Sequence, residues 1–277
     1  MFINKQRITN RQANKVGLFC NARDESNIRE WAAHHLLVGF DLIIIFDHKS
    51  TVPLKNVFVN FDKRLVINEI KTNKQNIKNT LMNCATNIAK NLNLDWFIYL
   101  DADEFLILHN KFKGVKHFLN TYSYGDSVGV NWLMFGSNYL IEEPDGLILE
   151  NYTRSRANLD RHVKSFVRPQ EIINTHNPHF YNMINKNRML GLGFNILQHP
   201  QCFNELNIPY YESPAYIAHY VFQSENTYKK RKIDKIGDDG IKRQDMGKDI
   251  HNHYNDVINV QPQKYVNRVK EFLQYYS

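Results

Sequence analysis

The sequence predicts an α/β fold with a mostly parallel sheet and helices on both of its faces. Two observations carry this reading. Short apolar runs of strand length alternate with segments of helical spacing through the first hundred residues, the pattern of a parallel sheet with crossover helices. Three of those runs also end in polar stretches bearing Asp or Glu, and open α/β sheets bind ligands at the carboxyl ends of their strands.

Val16-Gly17-Leu18-Phe19-Cys20 is the first strand. A helix follows, with Asn27 and Glu30 in capping-box spacing. Ile28, Trp31, Ala32, His35 and Leu36 form its apolar face, and Gly39 is its stop. Leu42 to Phe46 is the second strand, ending at Asp47, and Leu65 to Ile67 is a short third. Ile77, Leu81, Cys84, Ala85 and Ile88 lie at helical spacing and predict a helix packed on the sheet. Trp96 to Leu100 is the fourth strand. This β-α-β-β-α-β order implies a mostly parallel sheet with helices on both faces.

The second half is less regular. Val128 to Trp132, Val163 to Val167 and Tyr216 to Val221 predict further short strands. Ser224 opens a basic helix running to about Ile236, and Gly237 to Asn255 is polar and expected to be mobile. Pro262 starts a final amphipathic helix with Val266, Val269 and Leu273 on one face. One domain over residues 1–277 is expected, with a polar arm over 1–15 and a helical C-terminal extension over 224–277.

The fourth strand runs directly into Asp101-Ala102-Asp103-Glu104-Phe105. Carboxylates grouped at a strand end can hold a hard divalent cation, which bridges to phosphate oxygens. The other two strand ends are Asn21-Ala22-Arg23-Asp24-Glu25 and Asp47-His48-Lys49-Ser50. Their carboxylates suit ribose hydroxyls and base N–H groups, and Arg23 suits a phosphate or a base carbonyl.

Composition narrows the classes. A formal charge of +7 favours anionic partners. Acidic residues are nevertheless scattered throughout, which argues against a dedicated nucleic-acid binder. Cys20, Cys84 and Cys202 lie too far apart for a zinc motif or a disulfide framework. Cys20 and Cys84 fall in apolar segments and are expected to pack as small hydrophobes. The N-terminus has no apolar signal-peptide core, and no apolar run reaches the roughly 18 residues of a membrane span. A cytoplasmic protein, reaching a membrane only from its side, is the expectation.

At these segments the chain resembles glycosyltransferases of the GT-A fold, near the inverting families 2 and 92. Asn21 to Glu25, with Glu30-Trp31 and His34-His35, resembles the family's "K-N-E … E-W … H". Asp47-His48-Lys49-Ser50 resembles "D-N-x-S", and Asn83-Cys84 with Asp95-Trp96 through Phe105 resembles "N-x-C … D-W … D-x-D-E-F". Trp132 to Ser137 resembles "W-x-x-F-G-S", and Val163 to Pro169 resembles "K-S-x-x-x-P". Ile217-Ala218-His219-Tyr220, with Ser224 and then Lys235-Ile236-Gly237, resembles "H-Y-x-x-K-S … K-x-x-G". Arg23 and Gln223 stand where the family often has Lys.

The resemblance implies a metal-dependent inverting transfer from a nucleotide-sugar, a UDP-sugar first, to a hydroxyl on a glycan, protein or lipid. Asp101, Asp103 and His219 would hold Mn²⁺ or Mg²⁺. Arg23, Glu25, Asp47, Asn83, Asp101, Lys164, Lys229 and Lys235 would contact the donor, while Trp132, Phe135 and Gly136 would form the acceptor floor. Asp103 and a general base would be catalytic. The base candidates are Glu142, Glu143, Asp145 and Asp160, with Asp145 preferred because Pro144-Asp145-Gly146 is an exposing turn. Two other classes compete: a phosphatase or phosphotransferase using the D-x-D pair, and a non-catalytic nucleotide- or glycan-binding protein. A phosphatase would place the motif on the first strand rather than the fourth.

Overall fold

A computed structural model describes residues 11–72, 77–122, 125–177, 179–184, 188–191, 207–234, 242, 244 and 251–277, with backbone only at 176, 189 and 190. Lys235, Gly237 and Cys202 lie outside the described residues.

The strands are β1 (Val16–Ala22), β2 (Leu42–Asp47), β3 (Leu65–Glu69), β4 (Trp96–Tyr99), β5 (Glu104–Leu108), β6 (Ser127–Met134), β7 (Arg154–Ser155), β8 (Val163–Val167), β9 (Ile172–Asn177), β10 (Phe180–Met183), β11 (Arg188–Leu190), β12 (Ala215–His219) and β13 (Val257–Ile258). The main sheet runs β3-β2-β1-β4-β8-β6-β12-β5, with β11 also on β6. The first four are mutually parallel. β8 enters antiparallel between β4 and β6, so its first residues lie at the carboxyl end of β4. β12 runs parallel to β6 and antiparallel to β5. The α/β, mostly parallel architecture expected from the sequence is the one observed.

Two apolar layers sandwich this sheet, and strand alternation divides the side chains between them. Val16, Leu18 and Cys20 of β1 join Trp31, Ala32 and Leu36 of helix α1 (Ile28–Val38) on one face. Phe19 joins Leu81, Met82 and Ala85 of a second long helix (Lys78–Asn91) on the other. Cys84 is exposed rather than packed. The helix is rotated so that Met82 and Ala89 complete its buried face.

The final helix (Val266–Tyr275) is integral to this core. Val266 and Val269 are buried with α1, and Tyr265 packs its ring 4.6 Å from that of His34. α1 in turn clamps β5. Trp31 Nε1 donates to Glu104 O, His34 Nε2 lies 2.9 Å from Leu106 O, and His35 Nε2 accepts from Leu106 N. Burial lowers both imidazoles, His34 to about 4, so they stay neutral structural groups.

The expected capping box of α1 does not form. Asn27 makes no side-chain cap bond; its amide donates to Ala102 O at 3.2 Å instead. Glu30 accepts from the backbone N–H groups of Ile148 and Leu149 at 2.8 and 2.9 Å. These residues start a short helix (Ile148–Asn151), so Glu30 caps an element distant in sequence. Burial pushes its carboxyl up to about 7, against those two bonds. Gly39 does stop α1, at φ 106°, where an L side chain would be strained.

Candidate active site

The three polar strand ends converge. Asp24 N meets Ser50 Oγ, and Asp24 Oδ1 accepts from Thr51 N, tying the loop after β1 to the loop after β2. Tyr99 of β4 donates its hydroxyl to Asn21 Oδ1 of β1. The turn after β4 carries the acidic cluster and reverses the chain into β5. Sequence reading took the carboxylates as a strand end and missed that β5 follows at once. Phe105 to Leu108 is an apolar run of strand length and was the available signal.

Basic side chains of the chain itself surround the cluster. Asp101 pairs with Lys78, at the start of its helix, and with Lys164 of β8 at 3.0 Å. Lys164 is fully buried and also reaches Glu104 Oε2 at 3.2 Å. Glu104 Oε2 also accepts from Asp101 N. Asp103 meets Arg231 at 3.0 Å and Lys232 at 3.2 Å, and Arg231 also contacts Glu25 at 3.1 Å. Among the described residues, four carboxyl groups from the strand ends and the turn after β4 thus pair with four cations, Lys78 at its helix start, Lys164 on β8, and Arg231 and Lys232 in the turn Lys229–Ile233.

The protonation states follow from this packing. Burial opposes ionisation of Asp101, but Lys164 and Lys78 outweigh it and hold the carboxyl well below the usual range. Asp103 is likewise held low, with Lys232, Arg231 and His219 outweighing burial. Glu104 goes the other way. Burial pushes it up to about 8, Lys164 only partly offsets this, and Asp101 and Asp103 add to the rise. Burial also lowers His219 to about 4 against the pull of Asp103, so its imidazole is neutral and one of its ring nitrogens can offer a lone pair.

His219 stands beside Asp103 because β12 pairs with β5 in a register that sets His219 opposite Glu104. Its Nε2 is 3.6 Å from Asp103 Oδ1, and its buried Nδ1 has no hydrogen-bond partner among the described residues. Two carboxylates and a neutral imidazole fit a hard divalent cation in kind. Among the described residues, however, no three such groups are arranged around one point. A cation bound at Asp103 requires Arg231 and Lys232 to withdraw from it.

The remaining expected residues fall in different places. Both Asp47 oxygens accept backbone N–H bonds, from Ser50 at 3.1 Å and Leu54 at 2.8 Å. Asn83 is exposed on its helix. Lys229 pairs with Glu225 one turn back, at 2.7 Å. Trp132 is partly buried and borders the cluster, with its ring 4.6 Å from that of His219 and 5.7 Å from Lys164 Nζ. Phe135 has no exposed surface and packs on Tyr220, so it belongs to the core. Gly136 is small because Asn255 lies against it: an added Cβ would meet Asn255 Oδ1 at 2.3 Å.

Of the base candidates, Glu142 accepts from Asn226, and Glu143 from Tyr152 and Thr227. Asp160 holds His162 at 2.7 Å. Asp145 is exposed on the loop before Ile148, beside a cavity. Lys78, Arg231 and Lys232 were missed by sequence reading. The basic run Lys229 to Lys232 was visible, but which members reach the cluster depends on a wide turn that departs from α-helical spacing.

The sequence profile of glycosyltransferase family 92 matches residues 17–260. The chain belongs to glycosyltransferase family 92, and it is a glycosyltransferase. No curated protein matches the sequence. Among solved structures it is similar to HddC from Yersinia pseudotuberculosis at 11% identity and a TM-score of 0.36, covering 72% of this chain and 97% of that one. It is also similar to a cytidylyltransferase from Leptospira borgpetersenii serovar Hardjo-bovis at 9% identity and a TM-score of 0.33, covering 58% and 62%. Likenesses of this size say nothing of what this chain binds. Among the described residues no helix is long and apolar enough to cross a membrane.

Proposed function

We propose that this glycosyltransferase moves a sugar from a UDP-sugar to a hydroxyl of an acceptor, by direct displacement with Mn²⁺ or Mg²⁺. The observation that carries the reading is the ring of cations around Asp101, Asp103 and Glu104 at the carboxyl end of a parallel sheet. Such a site already balances buried charge of both signs. It can exchange its internal pairs for a cation and a diphosphate without leaving charge uncompensated.

In this reading Asp103 and His219 hold the metal ion, with Asp101 adjacent. The ion supplies electrostatic stabilisation of the leaving nucleoside diphosphate. Arg231 and Lys232, released from Asp103, turn to the phosphates, where guanidinium and ammonium both serve. Lys164 fixes Asp101 and Glu104. The loops after β1 and β2, with Arg23, Glu25 and Asp47, face the nucleoside. Trp132 gives a flat ring for a sugar face. The acceptor oxygen bonds to the anomeric carbon as the bond to the diphosphate oxygen breaks. The electron pair leaves with the diphosphate, and the acceptor proton passes to Asp145.

The test is incubation with a panel of UDP-, GDP- and CMP-sugars, with and without Mn²⁺, scoring nucleotide release in the presence of glycoside acceptors. The expected outcome is Mn²⁺-dependent UDP release that Asp103→Asn abolishes, together with loss of Mn²⁺-dependent UDP binding. Unchanged release and unchanged UDP affinity in Asp103→Asn would rule the reading out.

A further inference from the structure

Beside Trp132 stands a carboxylate–imidazole pair, Asp160 and His162, that the proposed transfer does not use. His162 directly precedes β8 and lies opposite Trp132 of β6, whose N–H donates to His162 O at 2.9 Å. Residues two apart along a strand share a face. His162 therefore stands on the face where Lys164 reaches Asp101 and Glu104. β12, on the other side of β6, brings His219 to Trp132 from the opposite flank. The rings meet accordingly: that of Trp132 lies 5.3 Å from His162, 5.0 Å from His179 and 4.6 Å from His219.

The pair is firmly held. Asp160 Oδ1 accepts from His162 N at 2.9 Å and faces His162 Nδ1 at 2.7 Å. Asp160 is itself pinned to β6, donating its N–H to Trp132 O at 2.8 Å and accepting from Asn131 Nδ2 at 2.9 Å. His179 closes one side, with its Nδ1 on Val163 O at 2.9 Å and its ring 5.7 Å from that of His162. A carboxylate against Nδ1 keeps the proton on that nitrogen and fixes the ring, so Nε2 of the neutral imidazole carries the lone pair. The His162 side chain keeps 34% of its surface exposed, so a ligand can reach it.

We infer that His162, oriented by Asp160, determines which sugar this transferase carries: its Nε2 accepts a hydrogen bond from one hydroxyl of the sugar to be transferred. The inference rests on the transferase reading above, in which Asp103 and His219 hold the metal ion against the diphosphate. The transferred sugar is one bond from that diphosphate, so it extends from His219 past Trp132. The strands flanking β6 are roughly 10 Å apart, a span that a phosphate oxygen and one pyranose ring fill. An indole face takes any pyranose. A fixed acceptor nitrogen at its edge does not, because a sugar lacking the matching hydroxyl leaves that nitrogen without its bond. The acceptor proton still passes to Asp145; the pair acts on the donor.

The experiment is calorimetric titration, in the presence of Mn²⁺, of the nucleotide-sugar that the panel above identifies, its monodeoxy analogues and the bare nucleoside diphosphate. Wild type should bind one analogue about tenfold more weakly than the parent, the loss of one hydrogen bond. His162→Leu should bind the parent about tenfold more weakly than wild type does, and that one analogue no worse than the parent. The nucleoside diphosphate should bind both proteins equally. His162→Gln, whose amide reaches a similar position, should recover part of the loss. Asp160→Asn, which keeps the imidazole but frees its tautomer, should lose less than His162→Leu.

A mere clamp on the loop would lower the melting temperature and leave these affinity ratios alone. Equal deoxy penalties in His162→Leu and wild type, or an unchanged affinity for the parent, overturn the inference. So does a nucleoside diphosphate weakened as much as the parent. Should His162→Leu fail to fold, the same ratios in His162→Gln and Asp160→Asn decide. If the nucleoside diphosphate binds and the deoxy pattern is unaltered, only this inference fails. If no nucleotide binds with Mn²⁺, the transferase reading of the site fails and the inference with it.

Discussion

Lys164→Met tests the electrostatic core of the site. Lys164 is fully buried on β8, 3.0 Å from Asp101 and 3.2 Å from Glu104. Methionine keeps an unbranched side chain of similar length, so the packing loss is small. Breaking a buried pair by removing one partner costs about 3–5 kcal/mol. Below pH 8 the lower end is expected, about 3 kcal/mol, for two reasons. Lys78 remains on Asp101, and Glu104 already keeps its proton, since burial sets its carboxyl at about 8. Above pH 8 the cost should grow. The wild-type Glu104 then ionises against Lys164, whereas in the variant it has no cation and holds its proton to higher pH.

Each further pH unit over which only the wild type has released that proton adds up to about 1.4 kcal/mol to the difference. Urea unfolding followed by the fluorescence of buried Trp31 and Trp96, at pH 6, 8 and 9, reads both quantities. A cost under about 1 kcal/mol at all three values, or one that does not rise between pH 8 and 9, refutes the ion-pair account.

Glu104→Gln should flatten the pH dependence of stability between about pH 4.5 and 8. A carboxyl raised in the fold binds its proton more tightly there than in the unfolded chain, so wild-type stability falls as pH rises through that window; equal slopes for variant and wild type would contradict this. Arg231→Ala combined with Lys232→Ala should strengthen Mn²⁺ binding in the absence of nucleotide, because both now sit on Asp103, yet lower transfer. The free-Mn²⁺ electron paramagnetic resonance signal measures the first effect and nucleotide release the second. Glu30→Ala strands the N–H groups of Ile148 and Leu149 and should cost about 2–3 kcal/mol. It should also raise the acceptor KM more than the donor KM, since it loosens the loop carrying Asp145; steady-state kinetics with each substrate varied distinguishes the two.

Much of the framework was legible in the sequence. The strands β1, β2 and β4 are short, mainly apolar runs, and the Gly39 stop and the acidic turn are local features of the chain. Hydrophobic periodicity and the hydrogen-bonding habits of Asp, Asn and Gly act over a few residues, so one sequence suffices to read them. The convergence of three strand ends followed from parallel topology alone.

Partners distant in the chain were not legible. Asn27 and Glu30 sit in capping-box spacing, but the fold offered each a buried backbone group elsewhere, Ala102 O for one and the Ile148 and Leu149 N–H groups for the other. An unpaired buried group costs more than a lost cap, so the distant bond won. Phe135 resembled an acceptor-floor aromatic, and only the packing of Tyr220 against it assigns it to the core. Among the basic residues, Lys229 looked equivalent to Arg231, yet a single wide turn gives Asp103 to Arg231 and Lys232 and leaves Lys229 on Glu225. The sequence by itself determined the elements and the acidic motif they deliver. The tertiary structure decided which cation neutralises which carboxylate, because that depends on distances between residues that no local pattern encodes.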